Sequence, residues 1–338
     1  LYIRCDSTKM EIKLVTYIIP IYNASDYIVK SVRSLLEQSY RNIEYIFIND
    51  CSLDDSEIKL RRTIEEFPER YDNIKIITNE QNLGSATSRN IGLDTAQGEY
   101  VMFADSDDWI SMDYVESMVR QIDSGSYDIV YCDYFESYNN HDNRISQAYG
   151  QDNIECIRAM LGRGMHGSTC NKIYRRSFLL ASKQRFIDGA DLFEDVSWNI
   201  RLFVCTTQIS YLSQAFYHYV QYNNNSIIKS MSSTEKKRNR ALQRIENVRV
   251  ACDYLIALGF EEKLSKEMKE WKLMAKNDLI DEEDDSSLRS WIKTFPEADT
   301  VIIKCNKITW NYKFLLLLLH YKLFWLYNLH RTIMRKLR

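Results

Sequence analysis

Proline is scarce, with three in 338 residues, and glycine numbers only ten. That excludes collagen-like and proline-rich chains and favours helix-rich packing. Apolar runs are short. The longest, 314–319, falls far below the roughly 20 residues a membrane-spanning helix needs. No two of the eight cysteines stand at a C-x-x-C spacing, and the five histidines show no metal spacing such as H-E-x-x-H. Several cysteines sit inside apolar runs, Cys132 after Ile129, Val130 and Tyr131 among them. Buried, reduced thiols in a cytoplasmic protein are therefore expected, not a disulfide framework. No secretory signal is expected either. Met10 opens a run, MEIKLVTYIIP, that enters a strand directly, so it reads as the natural start, with residues 1–9 a remnant or a leader.

An overall charge excess is also missing. Lys plus Arg number 44 against 47 Asp plus Glu, a net −3, which argues against a dedicated nucleic-acid binder. The balance conceals a polarity. Residues 301–338 hold eight Lys or Arg and no acid, while the first 300 carry 36 basic against 47 acidic residues, or −11. With 45% hydrophobic and 27% charged residues, the chain is ordinarily globular and long enough for two or three domains at ~100–200 residues each.

What is present is an alternation. Short apolar runs at 15–19 (stopped by Pro20), 44–48, 74–78, 100–104 and 128–135 read as strands. Between them, 25–39, 54–67, 85–96 and 111–123 show helical spacing, as in Ile28, Val32, Leu35 and Leu36. This implies βαβ units and a parallel sheet covered on both faces. After about residue 136 the alternation fails. Residues 136–150 read as a loop, 152–161 and 192–204 as helices, 208–220 as one or two strands, and the chain from about 231 as helical, interrupted by an exposed acidic turn at 281–285.

In open α/β sheets ligands bind at the carboxyl ends of the strands. Asn23, then Asn49, Asp50 and Ser52, then Gly84 and Arg89, then Asp105, Asp107 and Asp108 follow the first four strands. Three carboxylates in four positions repel one another unless a cation or hydrogen bonds offset them. Oxygen ligands of this kind suit Mg2+ or Mn2+, whose shell is completed by substrate phosphates. The competing reading is a helix N-terminus, with Asp108 capping a helix from Ser111.

The segments VTYIIPIYNASDYIVKSVRSLLEQSYRNIEYIFINDCSLDDS and NLGSATSRNIGLDTAQGEYVMFADSDDW resemble family 2 glycosyltransferases with a GT-A fold, over about 14–110 with weaker echoes to about 227. The resemblance implies an α/β, mostly parallel nucleotide-binding sheet flanked by helices. The GT-A domain would occupy 10–226, its donor half about 10–110 and its acceptor half about 111–226. A helical C-terminal region would fill 227–338, with a basic amphipathic tail at 301–338.

By the same resemblance, Asp50 hydrogen-bonds the uracil of a UDP-sugar, within an Asn49-Asp50-Cys51-Ser52 stretch where the family often has Asp-Asp-Gly-Ser. Pro20, Tyr22 and Asn23 lie against the nucleoside. Asn82, Gly84, Arg89 and Asn90 match the third-loop motif, with Ser88 in place of the usual Ala. Gly84 lets backbone approach the donor and Arg89 faces nucleotide or phosphate. Asp105-Ser106-Asp107 matches the D-x-D motif, Asp107 binding Mn2+ or Mg2+ and Asp105 contacting ribose or a metal-bound water.

Further on, Phe193-Glu194-Asp195 resembles the family's Glu-Asp motif. It makes Asp195 the general base of an inverting transfer, with Asp191 and Glu194 as near alternatives and an ordinary acidic helix start as the competing reading. Lys172 faces acceptor or diphosphate, or is a surface basic turn. His218 reaches diphosphate or metal, or is a packed histidine. Residues 162–167, with His166, read as an acceptor loop and not a phosphate-binding loop.

The implied partners are a nucleotide-sugar donor and a glycan or lipid-linked glycan acceptor, with no nucleic acid. As a single helix, 313–338 would align Lys313, His320, Asn328, Arg331, Arg335 and Arg338 in one ~80° stripe. Its wide apolar face then docks on the catalytic domain, pairs with another subunit, or lies on the inner face of the cell membrane. Two rivals stay open: a sugar-phosphate nucleotidyltransferase, disfavoured by Pro20-Ile21-Tyr22-Asn23 where a Gly-rich basic loop belongs, and a non-catalytic donor-fold scaffold.

Overall fold

The computed structural model describes residues 12–223, 234–280 and 285–336. Met10, the last residues of the family resemblance at 224–227, and positions 281–284 of the acidic turn lie outside them. Asp285 begins a helix.

Two compact units interleave along the chain. One takes residues up to 147, 168–185 and 208–223, and the other takes 148–167, 186–207 and the chain from 224 on. A single boundary near 226 therefore does not describe the division. Tertiary contacts draw two helical stretches of the expected acceptor half into the C-terminal unit.

The first unit is a nine-stranded sheet. Strands β1 (Val15–Ile21), β2 (Ile43–Asn49), β3 (Ile74–Thr78) and β4 (Tyr100–Phe103) form a wholly parallel half in the order β3-β2-β1-β4. β1, β2 and β4 are almost entirely buried, which is why they read as unbroken apolar runs. Helices α1 (Ile28–Leu36), α2 (Ser56–Ile64), α3 (Ser85–Thr95) and α4 (Tyr114–Asp123) alternate with them. α1 buries Ile28, Val32, Leu35 and Leu36, the face its spacing announced.

Pro20 does not stop β1, which pairs with β2 through Ile21. The Ile18 carbonyl bonds Ala104 N on the β4 side, so position 20 faces the same way, beyond β4's end. The missing proline N–H therefore leaves no ladder bond unmade.

The second half of the sheet is mixed, and here the sequence reading needs correcting. The expected loop at 136–150 contains β7 (Asp142–Ile145), a hairpin partner of β6 (Ile129–Ser137). β5 (Trp109–Ile110) and β8 (Lys172–Arg175) were not expected, and helix α6 (Arg176–Ser182) follows β8. The stretch 208–220 is one strand, β9 (Ile209–Val220), parallel to β6 with register shifts at Asp133. That buried carboxylate accepts from Arg144, Gln147 N and Tyr211 Oη and holds the irregularity in place.

The second unit is helical: α5 (Asn153–Gly162), α7 (Glu194–Phe203), α8 (Thr234–Ala257), α9 (Glu261–Asn277), α10 (Asp285–Lys293), α11 (Trp310–His320) and α12 (Phe324–Lys336). The expected single helix over 313–338 is broken. Lys322 takes a left-handed φ of 58° between α11 and α12. Lys313 leaves the proposed basic stripe altogether: it is buried and donates to the Ile303 carbonyl.

Candidate functional site

The strand order puts the first chain reversal between β1 and β4, the switch point at which parallel sheets open a ligand crevice. The loop after β1 and the loop after β2 are tied together there. Asn23 Oδ1 accepts from Leu53 N at 2.8 Å, Asn23 N donates to Ser52 Oγ at 3.2 Å, and Ser25 N donates to Asp54 at 3.0 Å. Asn23 adopts a φ of 48°, a conformation asparagine tolerates better than most residues. Pro20 lies in β1, and Tyr22 projects into solvent.

Asp50 is buried at the tip of β2 and organises the third loop. Its Oδ1 accepts from Asn79 Nδ2 and Leu83 N, and its Oδ2 from Gly84 N, each at 2.8 Å. Four lone-pair sites on a carboxylate leave capacity for one more donor. Gly84 sits at a φ of 88° ahead of α3, where a side chain would be strained. Cys51 takes a φ of 58°, so the residue standing where the family often has glycine keeps glycine's backbone. Asn49 is turned inward, donating to Glu57 at 2.5 Å.

Beyond β4 the three carboxylates part company. Asp105 Oδ1 pairs with the Arg89 guanidinium at 2.8 Å, and its backbone N–H donates to Tyr217 Oη. Asp107 Oδ2 accepts from Asn223 Nδ2 at 2.7 Å. Burial, and then the Asp105 charge, pushes the Asp107 carboxyl up from its ordinary range. Asp108 is fully enclosed, accepting from Tyr217 Oη at 2.6 Å and Val220 N at 2.8 Å. Burial and its two acidic neighbours push it well up. It anchors β9 and does not cap the next helix, since α4 starts after Asp113 with no side-chain cap.

Divalent-cation chemistry fits this loop in a limited form. Among the described residues no group of three or more His, Cys, Asp or Glu side chains is set to hold an ion. A metal taking one carboxylate, Asp107, with Asp105 beside it, and finishing its shell on phosphate matches Mg2+ or Mn2+. The Asp105 charge, which adds to burial in raising Asp107, is what such a cation would offset.

The remaining expected residues scatter. Lys172 is buried in β8, its Nζ donating to Ser168 O at 2.5 Å and Asn171 Oδ1 at 2.8 Å, so it is not a surface basic turn. His218 is packed in an aromatic stack, its ring 3.3 Å from Trp109 and 4.6 Å from Phe135, with Nδ1 3.0 Å from Ser137 Oγ. A cleft of about 260 Å³ beside it is lined by Lys30, Trp109, Ser137, Tyr138, Asn139, Asp142 and Tyr222.

Glu194 and Asp195 belong to the other unit, in the first turn of α7, where Asp195 Oδ1 accepts from Val196 N at 2.7 Å. The glycine-rich stretch ends on Gly167, whose Cα lies so close to Val196 that a side chain would collide with it. Sequence reading missed Tyr217 and Asn223. Their signal is weak, an aromatic and an amide over 100 residues from the acids they hold.

Comparison with known proteins follows the same lines. The model of glycosyl transferase family 2 matches residues 16–181. A putative glycosyltransferase, EpsH, of Bacillus subtilis (strain 168) is 33% identical across 62% of this chain, a match spanning 61% of that relative's length. Among solved structures, S. aureus TarS 1–349 in complex with UDP-GlcNAc superposes with a TM-score of 0.59 at 19% identity, covering 96% of this chain and 92% of its own. The mannosyltransferase PcManGT from Pyrobaculum calidifontis, in complex with GDP-Man and Mn2+, gives 0.53 at 16%, covering 80% and 75%. Likeness at that identity speaks to the fold, a GT-A fold with a helical C-terminal region, and within it residues 16–181 are similar to glycosyl transferase family 2.

Proposed function

We propose that the protein transfers a sugar from a nucleotide-sugar, with UDP as the nucleotide, to a hydroxyl of a surface-glycan or lipid-linked glycan acceptor, with inversion at the anomeric carbon. One observation carries the reading. Asp50 at the tip of β2 binds Gly84 ahead of α3, and Arg89 of α3 pairs with Asp105 in the loop after β4 that also carries Asp107.

In this reading the free capacity on Asp50 accepts the ring N–H of the base, and Pro20, Tyr22, Asn23, Ser52 and Gly84 shape the nucleoside's bed. Arg89 holds Asp105 through their ion pair, oriented toward the ribose side. Asp107 and Asp105 would hold Mn2+ or Mg2+, which when bound neutralises charge on the departing diphosphate. Asp195 takes the proton of the acceptor hydroxyl as its oxygen bonds the anomeric carbon and the bond to diphosphate breaks. Glu194 supports Asp195. Lys172 and His218 serve the fold of the site, because their polar atoms already have partners inside it. A cytoplasmic setting goes with the proposal and is supported by the seven described cysteines, all free thiols.

Thermal shift with UDP-sugars and GDP-sugars in Mn2+, together with donor hydrolysis and transfer, tests this. Asp107→Ala should lose metal-dependent donor binding. Asp195→Asn should keep donor binding and lose transfer by roughly 10²-fold or more. Normal turnover by both variants would falsify the mechanism, and selective stabilisation by GDP-sugars would overturn the choice of nucleotide.

A further inference from the structure

Helices α11 and α12 are two-faced. Inward, Leu316, Leu318, Leu319 and Tyr327 close a core with Leu273 and Trp291 of the same unit. Outward, Trp310 is 71% exposed, and Tyr321 and Trp325 are each 67% exposed, with Phe314, Leu329 and Ile333 also in solvent. Trp310 and Phe314 stand four residues apart on α11, and Trp325, Leu329 and Ile333 four apart on α12, so each helix carries one outer stripe. The stripes adjoin, because the Phe314 ring lies 6.1 Å from His330. Large aromatics on a solvent face, unneeded for the core, mark an interaction surface.

Charge selects the occupant. Residues 301–338 contain no acid. Lys304 and Lys322 are exposed, and Arg331, Arg335, Lys336 and Arg338 follow in sequence. The nearest acid upstream, Asp299, is buried and bonded to Lys276 and His320. A symmetric pairing of two copies would set the same cationic face against itself. We infer that the outer face of α11–α12 seats the protein on a bilayer rich in anionic headgroups, with Trp310, Tyr321 and Trp325 at the headgroup level. Tryptophan and tyrosine favour that depth, and an amphipathic helix with a cationic rim lies in the interface plane. At 11 and 13 residues, neither helix reaches across a ~30 Å hydrocarbon core, and no described helix is long and apolar enough to cross a membrane.

The inference is independent of the transfer reaction. A 1–300 truncation cannot test it, since Leu316 and Leu319 belong to the core. Full-length protein should be sedimented with equimolar phosphatidylcholine–phosphatidylglycerol vesicles and with pure phosphatidylcholine vesicles, at low and high salt. Preferential binding to the anionic vesicles, weakened by salt, is expected. Trp310→Ser with Trp325→Ser should lower the partition coefficient at least tenfold at unchanged melting temperature and unchanged donor hydrolysis. Lys304→Gln and Lys322→Gln should each lower it about fivefold on anionic vesicles alone. Equal binding to both vesicle types, or tryptophan variants that bind like the wild type, overturns the inference. So does vesicle-free self-association that the tryptophan variants abolish, with no vesicle binding.

Discussion

Cys51 holds a left-handed backbone in the loop that carries Asp50. For a residue with a Cβ that conformation costs about 1–2 kcal/mol. Cys51→Gly should therefore raise unfolding stability by roughly 0.5–1 kcal/mol, after the larger chain entropy that glycine loses on folding; urea titration measures it. His218 makes a second residue-scale prediction. Burial brings its pKa down to about 4, helped by Lys30 and opposed by Asp142. The folded protein thus keeps the ring neutral where the unfolded chain, near 6.5, takes up a proton. The contribution is fully present above pH 6.5 and is lost as pH falls from there to about 4, by up to about 1.4 kcal/mol per pH unit. Urea unfolding at pH 7 and pH 5 should show this loss in the wild type, and His218→Phe should flatten it.

Strand β9 organises the acidic loop at the scale of elements. Tyr217 Oη serves both Asp108 and Asp105 N, and Val220 N serves Asp108. Tyr217→Phe leaves a buried carboxylate one donor short and should cost about 1–3 kcal/mol, read as a lower denaturation midpoint. The elements that sequence periodicity revealed share one physics. β1, β2 and β4 are apolar on both faces, and α1 has one apolar stripe, so local composition suffices. β5 and β8 have two and four residues, too short for any period, and β7 (DNRI) is exposed along most of its length. They exist because β9, β6 and β4 offer them edges. The candidate site divides the same way. Asp50, Arg89, Asp105 and Asp107 were legible because they follow recognisable strands. Tyr217 and Asn223 were not, because only the completed sheet brings them to the acids. The one-helix tail failed at Lys322, since a single left-handed residue leaves no mark in a 3.6-residue pattern.

At the scale of the molecule, the helical unit depends on a buried ion pair. Lys276 Nζ meets Asp299 at 2.5 Å and lies 3.7 Å over the Trp291 ring, and His320 reaches the other oxygen of Asp299 at 2.8 Å. Asp299→Ala strands a buried cation and should destabilise this unit by about 3–5 kcal/mol, while Lys276→Met with Asp299→Leu should lose much less; hydrogen exchange of α9 reports both. The sheet unit has a different dependence, on order of synthesis. The parallel half is complete at β4, yet Tyr217 and Val220 lie 109 and 112 residues beyond Asp108, and Asn223 lies 116 beyond Asp107. At about 5–20 residues per second, a ribosome takes roughly 6–20 s to supply them. Through that interval the nascent parallel sheet has Arg89 to pair Asp105 but lacks the β9 donors of Asp108 and the Asn223 donor of Asp107, and dissolved cations must screen those two carboxylates. Slowing translation between residues 108 and 217 should prolong that charged, unfinished state, and magnesium supplied during synthesis should shorten its cost in yield.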